Sequence, residues 1–176
     1  IAEAGVPIAA VAVANQGETV LAWDRASGTP LSPAIVWQDR RSESICADRS
    51  TSADRVAALT GLVLDPYFSA PKMRWLRDNV TTEGVVTTTD TWLVHQLCGA
   101  FVTDSSTASR SLLIDLDRTY WSDELLGIFG LEAEELPEIV YPCTWTYRVI
   151  AADAVGARGA IAERLGTRPH RLSDGN

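Results

Sequence analysis

Residues 15–19, Asn15-Gln16-Gly17-Glu18-Thr19, crowd one carboxylate and two side-chain amides at the end of an apolar run, A-V-A-V-A, and a second apolar run, V-L-A-W, begins at once. A tight turn needs only a glycine and one polar partner. A carboxylate accepts hydrogen bonds and donates none, so Glu18 could chelate two neighbouring hydroxyls of a small molecule. Trp37, in A-I-V-W-Q-D, offers an indole face suited to C–H groups, and Tyr67, in D-P-Y-F-S, offers a phenol with an apolar body and a polar tip. Each has a plainer reading: Glu18 as a solvated hairpin charge, Trp37 as a core aromatic, Tyr67 as a packed ring with its hydroxyl at the surface.

Other chemistries find less support. The chain contains no G-x-x-x-x-G-K-[ST], G-x-G-x-x-G or G-x-S-x-G, so neither a nucleotide-binding loop nor a nucleophile elbow can be argued. His95 has no second His or Cys near it in sequence and reads as packing or surface; His170 has no role assigned. T-D-S-S-T-A-S-R, residues 103–110, resembles a phosphate loop in composition but lacks glycine, which lets a backbone approach phosphate closely. Capping and turn hydrogen bonds account for it better. Cys46, Cys98 and Cys143 show no metal spacing and fit structural thiols in a reducing cytosol.

The elements that must position these residues follow from periodicity and punctuation. Pro7–Asn15 reads as a strand buried on both faces, and Thr19–Asp24 and Ala34–Gln38 as two more strands joined by R-A-S-G-T-P-L-S-P. Helices are expected over Arg41–Arg49, over Ala53–Thr60 with Gly61 as its C-terminal cap, and over Ala70–Asn79 with Pro71 in its first turn. Leu62–Ser69 reads as an extended loop. Thr89 or Asp90 caps a helix running to Leu97, ended by Gly99, and Ser122 caps a helix over Asp123–Phe129, ended by Gly130. Phe101–Asp115 reads as extended and turn structure.

The 176 residues suit a single domain and carry a net charge of −8, which argues against nucleic acid or an anionic membrane as partner. No apolar run approaches a membrane span in length, and the chain is expected to be cytoplasmic. The first 140 residues hold 20 of the 23 acidic side chains, whereas the remainder is net basic with all its cations Arg. The start at Ile1 without Met reads as a cut, and residues 141–176 as a divergent tail from a frame shift or an aberrant end.

Together and in order, N-Q-G-E-T, W-D-R-A-S-G-T-P-L-S-P-A-I-V-W-Q-D-R-R and T-G-L-V-L-D-P-Y-F-S-A-P-K-M-R-W-L-R-D-N resemble the FGGY carbohydrate kinases, most closely the glycerol kinases among them. Tyr67, Ser69, Lys72, Met73, Trp75, Leu76, Asp78 and Asn79 fit the family's first signature. Further matches lie in T-D-T-W-L-V-H-Q-L-C-G-A, V-T-D-S-S-T-A-S-R and W-S-D-E-L-L-G-I-F-G-L, so the resemblance covers residues 1–140.

The resemblance implies an α/β fold of the actin-like ATPase (ribonuclease H-like) class, a mixed sheet with flanking helices, incomplete at both ends and forming part of the family's N-terminal domain. It implies that Glu18 and Tyr67 hydrogen-bond a polyol or sugar and that Trp37 packs against its carbon chain. Gly17 stands where glycerol kinases carry Arg, so a four- or five-carbon polyol could use the space, or an Arg from elsewhere could fill it. ATP and Mg²⁺ are the implied cofactors, held by a D-x-G-T-x-S hairpin and a second domain that this chain does not include. The general-base aspartate, in a G-D-Q context, is likewise expected outside it, so no residue here is assigned as catalytic. The implied partner is a small polyol or sugar, and a homo-oligomer of the full-length protein is compatible with the family. The alternative is a non-catalytic, sugar-binding pseudokinase module.

Overall fold

The structure is a computed structural model that describes residues 13–141. The strand expected over Pro7–Asn15 therefore falls largely outside the described residues, and so does the expected divergent tail past Tyr141.

At the centre lies strand β1 (Val20–Trp23), buried along its whole length and paired antiparallel with β2 (Val85–Thr88) in the register Val20↔Thr88 to Trp23↔Val85. Side chains alternate across a strand, and both faces of this ladder are covered. Val20, Ala22 and Val86 join the main core with Met73 and Leu76 of helix α3 (Ser69–Asn79). Leu21, Trp23 and Val85 form a second cluster with Trp92, on helix α4 (Thr89–Cys98), and Phe101. The result is a helix–sheet–helix sandwich. The run of β1 is apolar throughout, whereas β2 buries Thr87 and Thr88 beside its valines.

The expected strand over Ala34–Gln38 does not form. Only Ile35 bridges Val20, through two backbone bonds of 3.0 and 2.8 Å. A second isolated bridge joins Trp23 to Pro30, and Pro33, which has no N–H to donate, lies between the two bridges. In compensation Leu31 and Ser32 both donate to the Ala22 carbonyl, and the Ser32 hydroxyl accepts from the Ala22 amide at 2.9 Å. Trp37 then falls in a turn.

Helix α1 (Glu43–Asp48) starts two residues later than expected, and α2 (Ala53–Thr60) ends at left-handed Gly61. Past α4, which ends at left-handed Gly99, β3 (Val102–Asp104) leads into a short helix, α5 (Ser105–Ser109), inside the stretch expected to be extended. The Asp104 carboxylate caps α5, accepting from the Thr107 amide at 2.9 Å and the Thr107 hydroxyl at 2.7 Å. T-D-S-S-T-A-S-R is thus a capping sequence. Strands β4 (Ile114–Asp115) and β5 (Tyr120–Trp121) pair antiparallel, and Ser122 caps α6 (Asp123–Phe129) as expected. Strand β6 (Glu138–Val140) pairs parallel with β3. The described strands therefore mix parallel and antiparallel pairing with helices against them.

Candidate polyol site

Three of the four residues singled out from the sequence converge through one they did not include. Glu18, buried at 6% exposure, accepts from Nε of Arg110 at 2.7 Å through Oε1. The Arg110 guanidinium lies over the Tyr67 and Phe68 rings, 5.6 and 5.0 Å from their centroids. Tyr67 in turn meets Trp37, ring centroids 5.3 Å apart and tilted by 53°. Carboxylate, guanidinium, phenol and indole thus form one contiguous chain of contacts. The fourth, Gly17, is half-buried beside Glu18, and among the described residues no heavy atom lies within 4 Å of where its Cβ would stand.

The backbone spends strain to aim Glu18. Its φ of 60° lies in the left-handed region, which costs an L-residue about 1 kcal/mol. The neighbouring amides serve the turn: Gln16 Oε1 accepts from the Thr19 hydroxyl at 3.2 Å, and Asn15 Nδ2 donates to Thr89 Oγ1 at 3.1 Å. The polar crowding at the strand end therefore divides into two structural amides and one inward carboxylate. On the facing side, the Ser111 carbonyl accepts from the Ala70 amide at 2.8 Å, which ties the segment after Arg110 to the first turn of α3. Leu112, fully buried with φ of 66°, closes that segment.

The Tyr67 loop is fixed from beneath. Asp65 Oδ1 accepts from the Tyr67 amide at 2.8 Å. Lys72, fully buried on α3, donates to the carbonyls of Pro66, Tyr67 and Phe68. Burial pushes its ammonium down from 10.5 to about 8, against the pull of Glu18 and Asp39 in the other direction. The hydrogen bond to Glu18 raises the Arg110 pKa above its ordinary value, desolvation opposes it, and Tyr67 adds to the rise. Beside Trp37, Asp39 is held below the usual carboxylate range by its hydrogen bond from Arg41, whose guanidinium stacks on Trp75 at 4.8 Å.

This arrangement can bind a polyhydroxylated molecule: a fixed carboxylate, a guanidinium and phenol as donors, and aromatic faces for the carbon chain. Lys72 and Arg110 were legible only as motif letters. Arg110 ends the capping stretch, and its sequence distance of 92 residues from Glu18 gives no hint of the pair. His95 packs its ring on Trp23, centroids 4.8 Å apart. Among the described residues no group of His, Cys, Asp and Glu could hold a metal ion, and no helix is long and apolar enough to cross a membrane.

Comparison with known proteins finds relatives both by sequence and by fold. The sequence profile of the FGGY family of carbohydrate kinases, N-terminal domain, matches residues 4–161. A glycerol kinase of Methylibium petroleiphilum is 46% identical over 154 residues, covering 79% of this chain and 31% of its own. The crystal structure of Plasmodium falciparum glycerol kinase with ADP superposes with a TM-score of 0.75 at 33% identity, covering 85% of this chain and 32% of its own. That of a xyloylose kinase from Brucella ovis superposes with a TM-score of 0.72 at 26% identity, covering 82% and 31%. The chain spans about a third of the length of these relatives. The fold is that of the actin-like ATPase class to which they belong. The family match over residues 4–161 and the 46% identity to the Methylibium enzyme lead to one conclusion: this chain belongs to the FGGY family of carbohydrate kinases.

Proposed function

We propose that the chain forms the acceptor-binding part of an ATP-dependent kinase that phosphorylates a hydroxyl of glycerol or a related polyol or sugar. The observation that carries this reading is the contiguous contact of Glu18, Arg110, Tyr67 and Trp37. Vicinal hydroxyls donate to Glu18, the Tyr67 hydroxyl bonds a third oxygen, and the Trp37 indole covers the C–H side. Holding an acceptor in one pose contributes to phosphoryl transfer because that reaction rests on positioning and on neutralising charge. Glu18 is a binding group in this scheme, and no described residue is assigned as the general base.

The relatives' glycerol kinase names and the ADP in the Plasmodium structure support ATP as phosphoryl donor. The described residues do not fit the nucleotide or its metal: they provide no glycine-rich cradle for phosphates and no carboxylate cluster. No step is therefore routed through ATP or Mg²⁺ on this chain. ADP release by the full-length protein, measured with glycerol, erythritol, xylitol and xylulose, tests the proposal. Turnover is expected with at least one acceptor, and Glu18→Ala should lower its kcat/KM by roughly 100-fold, the loss of a charged hydrogen-bond acceptor for two hydroxyls. Saturable acceptor binding without turnover would instead indicate a sugar-binding pseudokinase.

A further inference from the structure

Asp90, in the first turn of helix α4, is a carboxylate outside the acceptor site and only 6% exposed. Its Oδ2 accepts from the Thr103 hydroxyl of β3 at 2.6 Å, and its Oδ1 is buried with no hydrogen-bond partner among the described residues. An ionised carboxylate has roughly four acceptor sites, so the bare oxygen marks a place ill suited to a negative charge.

The strands packed against α4 bring no cation to it. Strands β1 (V-L-A-W) and β2 (V-V-T-T) hold no ionisable side chain, and β3 (V-T-D) holds only Asp104, a second carboxylate. Asp104 is better served, since it caps α5 and accepts from both the amide and the hydroxyl of Thr107. On α4 itself the His95 ring packs on Trp23, and the Cys98 thiol donates to the Val94 carbonyl. Where α4 begins, Thr89 meets Thr19 and Asn15, and the carboxylate of Glu18, one residue before Thr19, is held by Arg110.

From this arrangement we infer that the Asp90–Thr103 contact is a proton-sensitive latch between α4 and β3, held more firmly with the proton in place. A proton on Oδ2 reverses the short contact, so that the acid O–H donates to the Thr103 oxygen. Oδ1 then becomes a neutral carbonyl oxygen, which costs less to leave unbonded than a charged one. Burial pushes the Asp90 carboxyl above its ordinary value of 3.8; Thr103 and Thr88 pull it back, and the Asp104 charge adds to the rise. The folded chain therefore holds this proton more tightly than the unfolded chain does. The stabilisation is complete below the unfolded value and is lost as pH rises through the folded one. What the latch secures is β3, which pairs with β6 and whose Asp104 caps the helix that ends beside Arg110. Its action does not depend on which acceptor the kinase takes.

Hydrogen exchange of the full-length protein, read on residues 102–109 and corrected for the intrinsic pH dependence of exchange, tests the latch. Between about pH 4.5 and about pH 8 the wild type should lose about threefold or more in protection of this segment. Asp90→Asn, similar in shape and never ionised, should keep its protection constant within about a factor of 1.5 over the same range. Thr103→Val removes the donor that favours the charged form, so the loss of protection should extend to higher pH than in the wild type. That variant also serves as the readout if Asp90→Asn does not fold. Wild-type protection that stays level over this range overturns the latch, and so does a loss equally large in Asp90→Asn. A Thr103→Val profile that coincides with the wild type's overturns it as well.

Discussion

The Lys72 ammonium, shielded completely from solvent, hydrogen-bonds the backbone carbonyl of Tyr67, and it does the same for the residues on either side of Tyr67. A charged group in the core thus serves as a clamp on the loop that presents the phenol. Lys72→Met fills the same space but leaves three carbonyls without their donor. With each unsatisfied buried group costing about 1 kcal/mol, partly offset by relief from burying a charge, a net loss near 2 kcal/mol is expected at neutral pH. Denaturant unfolding of variant and wild type measures it, and acceptor KM should rise in parallel because Tyr67 loses its anchor.

The same clamp has a pH signature of defined sign. Its proton is held less tightly in the folded state, at about 8, than at the unfolded value of 10.5. Between these values the unfolded chain binds more protons, so stability rises with pH there, and the burial penalty is fully present below pH 8. Wild type should gain on the order of 2 kcal/mol relative to Lys72→Met on going from pH 7.5 to 9.5. A constant difference across that window would show that the ammonium keeps its proton on the three carbonyls.

Gly84 supports the central ladder at a point where no other residue fits. Its φ is 64°, and a Cβ there would stand 2.3 Å from the carbonyl oxygen of Trp23. Gly84→Ala adds left-handed strain of 1–2 kcal/mol to a backbone clash that no side-chain rotation relieves, so the total should exceed about 2 kcal/mol. Thermal unfolding checks this. Because β2 carries Thr87, whose hydroxyl accepts from the indole of Trp23 at 2.9 Å, near-ultraviolet circular dichroism of the tryptophans should weaken as well.

Two forked ion pairs of similar geometry should behave differently. Arg77 grips Glu134 through bonds of 2.6 and 2.7 Å with about a tenth of either side chain exposed, and it also holds the carbonyls of Thr81, Glu83 and Gly84. Glu134→Ala should cost about 3 kcal/mol, because it strands a largely buried cation. Arg55 and Glu124 are equally close, yet about half of each side chain is exposed, and solvent screens the pair. Glu124→Ala should leave the melting midpoint almost unchanged.

Much of this architecture is written in local signals. Gly61, Gly99 and Gly130 end helices α2, α4 and α6 in the left-handed conformation, and Ser122 caps α6, because caps depend on side chains next to the backbone groups they satisfy. Strand β1 was legible because its run, V-L-A-W, carries no polar residue. Strand β2 was not: V-V-T-T is half threonine, and its burial depends on Trp23, 64 positions away. The hairpin partner at Ala34–Gln38 shrank to the single bridge of Ile35 with Val20, just after Pro33, which has no N–H for a ladder.

The candidate site divides along the same line. By itself the sequence determined that Glu18, Trp37 and Tyr67 have the right chemistry for hydroxyls and carbon chains, and the family likeness followed from their order. Only the tertiary structure decided that Arg110 stands on Glu18 and that Lys72 is buried with its ammonium on the Tyr67 carbonyl. Hydrogen bonds and stacking act over a few ångströms, and which residues come that close is set by how α3, α5 and the β1–β2 ladder pack, not by their separation along the chain.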